Sequence, residues 1–258
     1  MVDYLDILAQ DVKRAVADGY YNTRRLSVSS FRSLREAIEG CRKTPIVSEI
    51  KLASPSSHSI REGLQVGEAA SAMERGGAVG ISVITEPKHF KGSLKFLIEA
   101  RRRTRLPVLM KDIVMSPAQI ETASSIGADA ILLIQALFDR GYSESGLLDM
   151  IDLAHSRKVE VLLETHTNEE FQTALRTDAD MIGINNRDLS TLTVDIHVTE
   201  RILKLNDPGK HIVVSESGIE KQRDVQFLKR CGAKAFLIGS ALMSASNIEE
   251  KVREFVEA

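Results

Sequence analysis

The sequence has few of the features that mark a specialised class of protein. It contains only two cysteines in 258 residues, Cys41 and Cys231, and their separation matches no metal or redox motif. Two reduced thiols are typical of the cytoplasm, so we expect a cytoplasmic protein without disulfides. The six histidines show no metal-ligand spacing. We therefore expect no metal, and we interpret His166, close to Glu164, as a loop residue.

The chain also lacks long apolar runs and a strong charge of either sign. No run approaches the roughly 20 apolar residues of a membrane-spanning helix. Asp3, Asp6 and Asp11 interrupt the apolar residues at the N-terminus, unlike a signal peptide. The net charge of −2 provides no basic field for nucleic acid or an anionic membrane, and the cluster Arg101–Arg105 is better interpreted as helix-end charge. We therefore expect an intracellular protein that binds neither nucleic acid nor a membrane.

What the sequence does contain is a repeated alternation of strand and helix. From Pro45 onward, β-branched runs recur roughly every 20–30 residues between helical patterns, which is typical of βα units and a parallel sheet. The predicted strands are Ile46–Leu52, Val79–Thr85, Val108–Lys111, Ala130–Ile134, Glu160–Glu164, Met181–Asn185, Ile212–Glu216 and Ala235–Gly239. Eight strands close a barrel, whereas a doubly wound sheet usually has fewer and a glycine-rich fingerprint, which is missing here. We predict an α/β protein with a (β/α)8 TIM barrel over residues 45–258.

Residues 1–44 are predicted to form an N-terminal helical extension that belongs to the same domain as the barrel. Leu5, Leu8, Val12 and Val16 fall on one helical face. The extension either covers the bottom or side of the barrel or closes over its mouth. The sequence leaves both arrangements open.

Polar side chains stand where the predicted strands end. They are Glu49, Lys51, Lys111, Glu164, Asn185 and Glu216. A strand that is buried on both faces is expected to be continuously apolar, so a charge at its exit is costly unless it has a function. Parallel barrel strands all end at one mouth, which makes these side chains neighbours. Two lysines and three glutamates at one mouth indicate acid–base chemistry.

Burial is expected to tune two of these groups. Partial removal of Lys111 from water would lower its pKa, which suits proton donation near neutrality. Desolvation of Glu164 would raise the pKa of its carboxyl and favour proton exchange.

Small residues follow the last two predicted strands, at Ser215–Ile219 and Leu237–Ser240. Their missing side chains let backbone N–H groups approach an anion at the start of a helix. These two loops form the usual phosphate site of an α/β barrel, so a small phosphorylated ligand is predicted. Phe90, on a long loop at the same end, either packs locally or stacks on an aromatic substrate.

Taken together, seven segments resemble the indole-3-glycerol phosphate synthase family. They are Glu49–Ser56, Thr85–Ser93, Met110–Asp112, Leu163-Glu164, Gly183–Leu189, Glu216–Ile219 and Phe236–Met243. The resemblance implies a cofactor-free lyase of tryptophan biosynthesis. Such an enzyme converts 1-(2-carboxyphenylamino)-1-deoxyribulose 5-phosphate to indole-3-glycerol phosphate, carbon dioxide and water.

By family position, the resemblance also implies residue roles. Lys111 would protonate the alkoxide, Glu164 would act as base in the dehydration, and Lys51 would protonate the departing hydroxyl. The division of steps between the lysines stays open. The groups that orient them would be Glu49, Asn185 and Glu216. The phosphate would be held by Ser217, Gly218, Gly239 and Ser240, with Ser54 and Arg187 close by. The anthranilate ring would lie against Pro55, Phe90, Leu132, Leu189 and Ile238.

Two positions depart from the family's pattern. Ser57-His58 stands where glycine often follows Ser-Pro-Ser, and Ile113 stands where phenylalanine is common. The first departure would alter how that loop moves, and the second would remove a stacking partner for the ring.

Three alternatives remain at this point. A related sugar-phosphate isomerase would use an Asp pair, or Cys and Asp, at the mouth. A Schiff-base aldolase would need a lysine where strand six ends in Asn185. A non-catalytic barrel could bind a phosphorylated metabolite or a partner. No residue indicates a protein partner, and the chain is compatible with a monomer.

Overall fold

The computed structural model describes residues 3–23, 31–53 and 63–258. In this part of the chain, parallel strands pair in sequence order and close on themselves between the last and the first. The strands are β1 (Ile46–Ile50), β2 (Gly80–Ile84), β3 (Val108–Lys111), β4 (Ala130–Ile134), β5 (Glu160–Thr165), β6 (Met181–Asn185), β7 (Ile212–Glu216) and β8 (Ala235–Ile238). The prediction of a (β/α)8 barrel is confirmed.

Helices precede and connect the strands. They are α1 (Tyr4–Ala17), α2 (Leu34–Glu39), α3 (Val66–Gly76), α4 (Leu94–Arg103), α5 (Pro117–Ile126), α6 (Gln135–Asp139), α7 (Leu147–Ser156), α8 (Asn168–Ala174), α9 (His197–Leu205), α10 (Gln222–Cys231), α11 (Ser240–Met243) and α12 (Ile248–Val256). Local signals explain both ends of α5. Ser116 caps α5 with Pro117 in its first turn, and Gly127 ends that helix in the left-handed conformation. No helix in the described residues is long and apolar enough to cross a membrane.

Alternation along each strand decides which side chains face the site. Ile46 and Ile50 of β1 pack outward against the helices, whereas Val47 belongs to the apolar cluster of the barrel interior. Glu49 lies two residues after Val47 and therefore also points inward. The same alternation turns Lys111 of β3, Glu164 of β5 and Glu216 of β7 into the barrel.

The N-terminal extension contacts both ends of the barrel. The Tyr4 hydroxyl of α1 lies 3.1 Å from Nδ1 of His89, on the loop that follows β2. At the opposite end, the N–H of Leu34 in α2 donates to Glu160, the first residue of β5, at 2.7 Å. The two arrangements that the sequence leaves open therefore both occur, one for each helix.

Candidate active site

One cavity opens where the strands end, and it collects the predicted site residues. The predicted residues that line it are Glu49, Lys51, Phe90, Lys111, Leu132, Glu164, Asn185, Arg187, Leu189, Glu216, Ser217, Gly218, Ile238, Gly239 and Ser240. Ser54, Pro55 and the Ser57-His58 departure lie outside the described residues. Every predicted site residue that the structure describes thus reaches the same space.

The floor of the cavity is a layer of four charged side chains from alternate strands. Glu49, Lys111, Glu164 and Glu216 come from β1, β3, β5 and β7. In most barrels such a layer consists of branched apolar residues. Here the Lys111 ammonium lies 3.3 Å from Oε2 of Glu164 and 3.1 Å from Oε2 of Glu216. The floor is therefore one cation enclosed by carboxylates.

The surrounding carboxylates reverse the expected direction of the pKa shift of Lys111. Burial alone would lower the pKa of Lys111, but the carboxylates of Glu216, Glu164 and Glu49 outweigh it and raise the pKa well above its ordinary value. The sequence-based expectation of a lowered pKa is wrong because burial and neighbouring charges act in opposite directions. Lys111 is held as an ammonium.

The carboxyls of Glu164 and Glu216 also differ from expectation. Burial would raise the pKa of Glu164, but the charges of Lys111 and His166 and the amide of Asn185 lower it, so the expectation of a raised value is wrong. For Glu216, burial together with the charge of Glu164 raises the pKa to about 7, although Lys111 opposes the shift. Glu164 is therefore the ionised carboxyl, and Glu216 titrates near neutrality.

A second ion pair lies at the end of β1, where Lys51 follows the last residue of the strand. Nζ of Lys51 is 2.9 Å from Oε1 of Glu49, and both side chains are largely buried. Residues two apart on a strand share a face, which explains why this pair forms from adjacent inward positions. Glu49 therefore orients Lys51 toward the cavity.

Two glycines make room for the carboxylates. A Cβ built on Gly183 would collide with Oε1 of Glu216, and one on Gly239 would collide with Oε1 of Glu49. Glu216 and Glu49 occupy the space that side chains at these positions would fill. Gly183, which the sequence analysis does not include in the site, is thus as necessary to its shape as Gly239.

The end of the cavity after β7 is a tight turn. Ser217 and Gly218 both have positive φ, at 66° and 78°, and a Cβ on Gly218 would collide with Val194 and Ile196. The Asn186 amide holds the turn by donating to the carbonyl of Ser217 at 3.1 Å. The turn is therefore fixed, with its backbone at the cavity wall.

Phe90 is positioned by a buried carboxylate. Glu86 accepts hydrogen bonds from the backbone N–H groups of Lys88, His89 and Phe90 at 2.8, 2.7 and 2.9 Å. The loop closes against α1, where Asp11 lies 2.8 Å from both Lys88 Nζ and His89 Nε2. These contacts hold the loop so that Phe90 lines the cavity.

Sequence reasoning missed part of the lining. The additional lining residues are Leu8, Ile84, Glu86, Asp112, Ile134, Val194, Ile219, Glu220 and Leu237. The two-residue alternation could have found Ile84, Ile134 and Leu237. Leu8 comes from α1, whose location the sequence does not determine. The Ile113 departure stands in the wall, where it presents an aliphatic side chain.

A family model described as indole-3-glycerol phosphate synthase matches residues 5–255. The chain belongs to the indole-3-glycerol phosphate synthase family. The match spans the barrel and most of the helical extension, and it decides against the isomerase, aldolase and non-catalytic alternatives. The resemblance that the sequence motifs indicate is confirmed.

Relatives that carry the same family name agree over most of their length. The indole-3-glycerol phosphate synthase of Caldanaerobacter subterraneus subsp. tengcongensis is 44% identical over 83% of this chain and 81% of its own. That of Methanocaldococcus jannaschii is 45% identical over 83% and 78%. That of Pyrococcus furiosus is 42% identical over 87% and 97%.

Solved structures outside the family share the fold alone. Thiamine phosphate pyrophosphorylase from Pyrococcus furiosus aligns with a TM-score of 0.61 and 16% identity, over 86% of this chain and 96% of its own. N-acetylmannosamine-6-phosphate 2-epimerase from Clostridium perfringens aligns with a TM-score of 0.61 and 18% identity, over 84% and 93%. At these identities the likeness carries no argument about chemistry.

Proposed function

We propose that the charged floor of this barrel performs the family's ring closure by acid–base catalysis, with Lys111, Lys51 and Glu164 as the proton-transfer groups. The chain is an enzyme of the carboxy-lyase class, which forms indole-3-glycerol phosphate from a small phosphorylated substrate in tryptophan biosynthesis. The substrate is 1-(2-carboxyphenylamino)-1-deoxyribulose 5-phosphate, and the other products are carbon dioxide and water.

The first step is attack of an aromatic carbon on the ketone of the sugar chain. Negative charge develops on the ketone oxygen, and Lys111 stabilises it and donates a proton to it. Carboxylates keep this lysine protonated before the reaction begins. A preorganised cation in a largely buried site stabilises the developing negative charge strongly, and the strongly basic alkoxide then takes a proton from it. Glu216 holds Lys111 in place at 3.1 Å.

Loss of carbon dioxide then restores the aromatic ring, and dehydration follows. Glu164, kept ionised by its neighbours, takes the proton from carbon as general base. Lys51, oriented by Glu49 at 2.9 Å, protonates the departing hydroxyl. Asn185 stands beside Glu164 and orients it. The two lysines thus act on two different oxygens.

Substrate binding divides between two walls of the cavity. The phosphate lies against the turn at Ser217 and Gly218 and the start of α11 at Gly239 and Ser240, with Arg187 and Ser54 close by. The anthranilate ring lies between apolar side chains: Pro55, Phe90, Leu132, Leu189 and Ile238. Ile113 provides less stacking area than an aromatic residue, so ring binding is looser than with phenylalanine.

The cellular setting completes the proposal. The extension of residues 1–44 and the barrel of residues 45–258 form one domain, supported by the contacts of α1 and α2 with both barrel ends. The enzyme acts as a monomer in the cytoplasm, which its two free cysteines suit.

The observation that carries the proposal is the enclosed Lys111 ammonium, because simple binding of a metabolite does not need a buried cation among carboxylates. The test incubates the purified protein with the ribulose phosphate substrate and follows indole fluorescence. Borohydride is then added to trap any imine. We expect fluorescence and no covalent adduct. A trapped adduct on Lys111 would contradict the acid–base role, and a folded protein that forms no indole would contradict the function.

A further inference from the structure

His166 lies in the loop after β5, next to two carboxylates. Its Nε2 lies 3.7 Å from Oε1 of Glu164, and its Nδ1 lies 3.7 Å from Oε2 of Glu170. Both Nε2 and Glu164 Oε1 are buried without a hydrogen-bond partner among the described residues. Buried polar atoms are nearly always paired. At 3.7 Å the two atoms are slightly too far apart for a hydrogen bond, and a small rotation of either side chain would form one. Catalytic hydrogen bonds are often long in the absence of substrate and shorten when it binds.

The contact completes a line of polar groups from the first turn of α8 to the charged floor of the cavity. Glu170 belongs to the first turn of α8 and also accepts the backbone N–H of His166 at 2.6 Å, which fixes the two residues together. On the inner side, Oε2 of Glu164 lies 3.3 Å from the Lys111 ammonium. The order from α8 to the floor of the cavity is Glu170, His166, Glu164 and Lys111.

The charges around His166 favour its protonated form. The groups that face it are Glu164 from β5, Glu170 from α8 and Glu216 from β7. Burial alone would lower the pKa of His166, but these carboxylates raise it above its ordinary value. The ring therefore keeps its second proton to a higher pH than an unperturbed histidine.

The proposed reaction needs such a proton. Lys111 gives one proton to the new alkoxide, Lys51 gives one to the departing hydroxyl, and Glu164 recovers only one from carbon. The carboxylate leaves as neutral carbon dioxide, so each turnover consumes one proton from solvent. Lys111 lines the cavity, so a substrate bound there would cover this side of the lysine and recharging during turnover would need another route.

We infer that His166 delivers the solvent proton that recharges Lys111. The Nε2–H bond breaks, the proton passes through the carboxylate of Glu164, and a new N–H bond forms at Nζ of Lys111. The ring is left neutral with its proton on Nδ1, next to Glu170, and Nε2 takes up a proton from water to restore the imidazolium before the next turnover. His166 is thus a positioning and relay residue, because it acts on the substrate only through Glu164. This inference rests on the proposed function.

The test compares His166→Gln and Glu170→Gln with the unmodified enzyme. We expect kcat to fall roughly 10-fold in each, less than the about 100-fold loss of a direct acid–base group. KM is expected to stay nearly constant, because neither side chain is among the described lining residues. In the unmodified enzyme, kcat falls as pH rises through the raised pKa of His166. In His166→Gln the part of the decline that His166 causes is expected to be absent, while any dependence on Glu216, whose pKa is about 7, remains.

Chemical rescue separates a relay from a structural role. Free imidazole is added to His166→Ala, and kcat is expected to rise with imidazole concentration and with the fraction of imidazole that is protonated. The matched control is His155→Gln on α7, where His155 pairs with Asp180 at 2.9 Å away from the cavity. It is expected to keep the normal kcat and pH profile.

Each result decides the inference. Unchanged kcat in both His166→Gln and Glu170→Gln would overturn it, as would a loss that imidazole does not restore in folded His166→Ala. If His166 variants do not fold, Glu170→Gln alone decides by its kcat and pH profile. Failure of the unmodified enzyme to form indole would instead overturn the proposed function, so the two failures are distinguishable.

Discussion

At the scale of single residues, the site is a set of charges whose positions are fixed by what surrounds them. The pKa of Lys111 is raised because three carboxylates lie around it, and the pKa of Glu216 is raised because it is buried near Glu164. The identity of a residue therefore gives its chemical type, while its neighbours give its protonation state. The roles proposed for Lys111 and Glu164 depend on both.

Removal of either proton-transfer group tests these roles. Lys111→Ala and Glu164→Gln are each expected to lower kcat by at least about 100-fold, the effect of losing a general acid or base. Steady-state kinetics with fluorescence detection provide the measurement, and Lys234→Ala, an exposed lysine, is the control. A near-normal rate in either site variant would mean that its role is misassigned.

Gly183 tests how closely the floor is packed. In Gly183→Ala the new methyl group must displace the carboxylate of Glu216, which then shifts against Lys111. We expect kcat to fall roughly 10- to 100-fold, the effect of a misplacement of about 1 Å. The shorter side chain of Glu216→Asp, combined with Gly183→Ala, relieves the collision, so the two losses are expected to be less than multiplicative.

The control for this change is Gly80→Ala at the other end of the barrel. Its Cβ would meet Leu34 of α2, so thermal stability is expected to fall while the kcat of the folded enzyme is retained. Normal kcat in Gly183→Ala would contradict the packing argument.

At the scale of elements, α1 holds the loop that carries Phe90. Asp11 contacts Lys88 and His89 of that loop, each at 2.8 Å. Asp11→Ala is expected to raise KM several-fold with a smaller change in kcat, because the loop forms a wall for binding rather than a proton-transfer group. Lys13→Ala, an exposed residue of the same helix, is the control. A fall in kcat at constant KM would exclude this function of the helix.

The sequence predicts the elements of the barrel more completely than its attachments. The strand from Ala130 to Ile134 is predicted with the observed bounds, because a buried parallel strand is a continuous apolar run. The place of α1 is not predictable in this way. One apolar helical face fits the mouth or the bottom of a barrel equally well, and polar contacts such as Asp11 with His89 join residues far apart in sequence.

The active site also has features that the sequence predicts and features that only the structure provides. The charged residues at strand exits are visible in sequence because each interrupts an apolar run. The directions of the pKa shifts of Lys111 and Glu164 cannot be predicted from the sequence. Burial and nearby opposite charges shift these pKa values in opposite directions, and the number of such charges is known only from the folded structure. Gly183 is missed because it contributes no side chain to the site and only leaves room for the carboxylate of Glu216.

At the scale of the whole molecule, the charged floor makes stability depend on pH. The folded state holds the proton of Glu216 more tightly than the unfolded state, since burial raises its pKa from 4.5 to about 7. Raising the pH through this interval therefore favours unfolding.

The corresponding prediction compares the unmodified protein with Glu216→Gln. Between pH 4.5 and 7, the unmodified protein is expected to lose about 1–3 kcal/mol of unfolding free energy relative to the variant, from 1.36 kcal/mol per pKa unit. Urea unfolding at a series of pH values measures the difference. A constant difference, or one that grows in favour of the unmodified protein as pH rises, would contradict the sign.

The most direct test of the account follows both products of the complete reaction. The substrate is labelled in its carboxyl carbon, and labelled carbon dioxide and indole fluorescence are recorded together. We predict that they appear in equal amounts with the unmodified enzyme, and that both fall by at least about 100-fold in Lys111→Ala. Retention of the label in the product, or undiminished release by Lys111→Ala, would contradict ring closure at this charged floor.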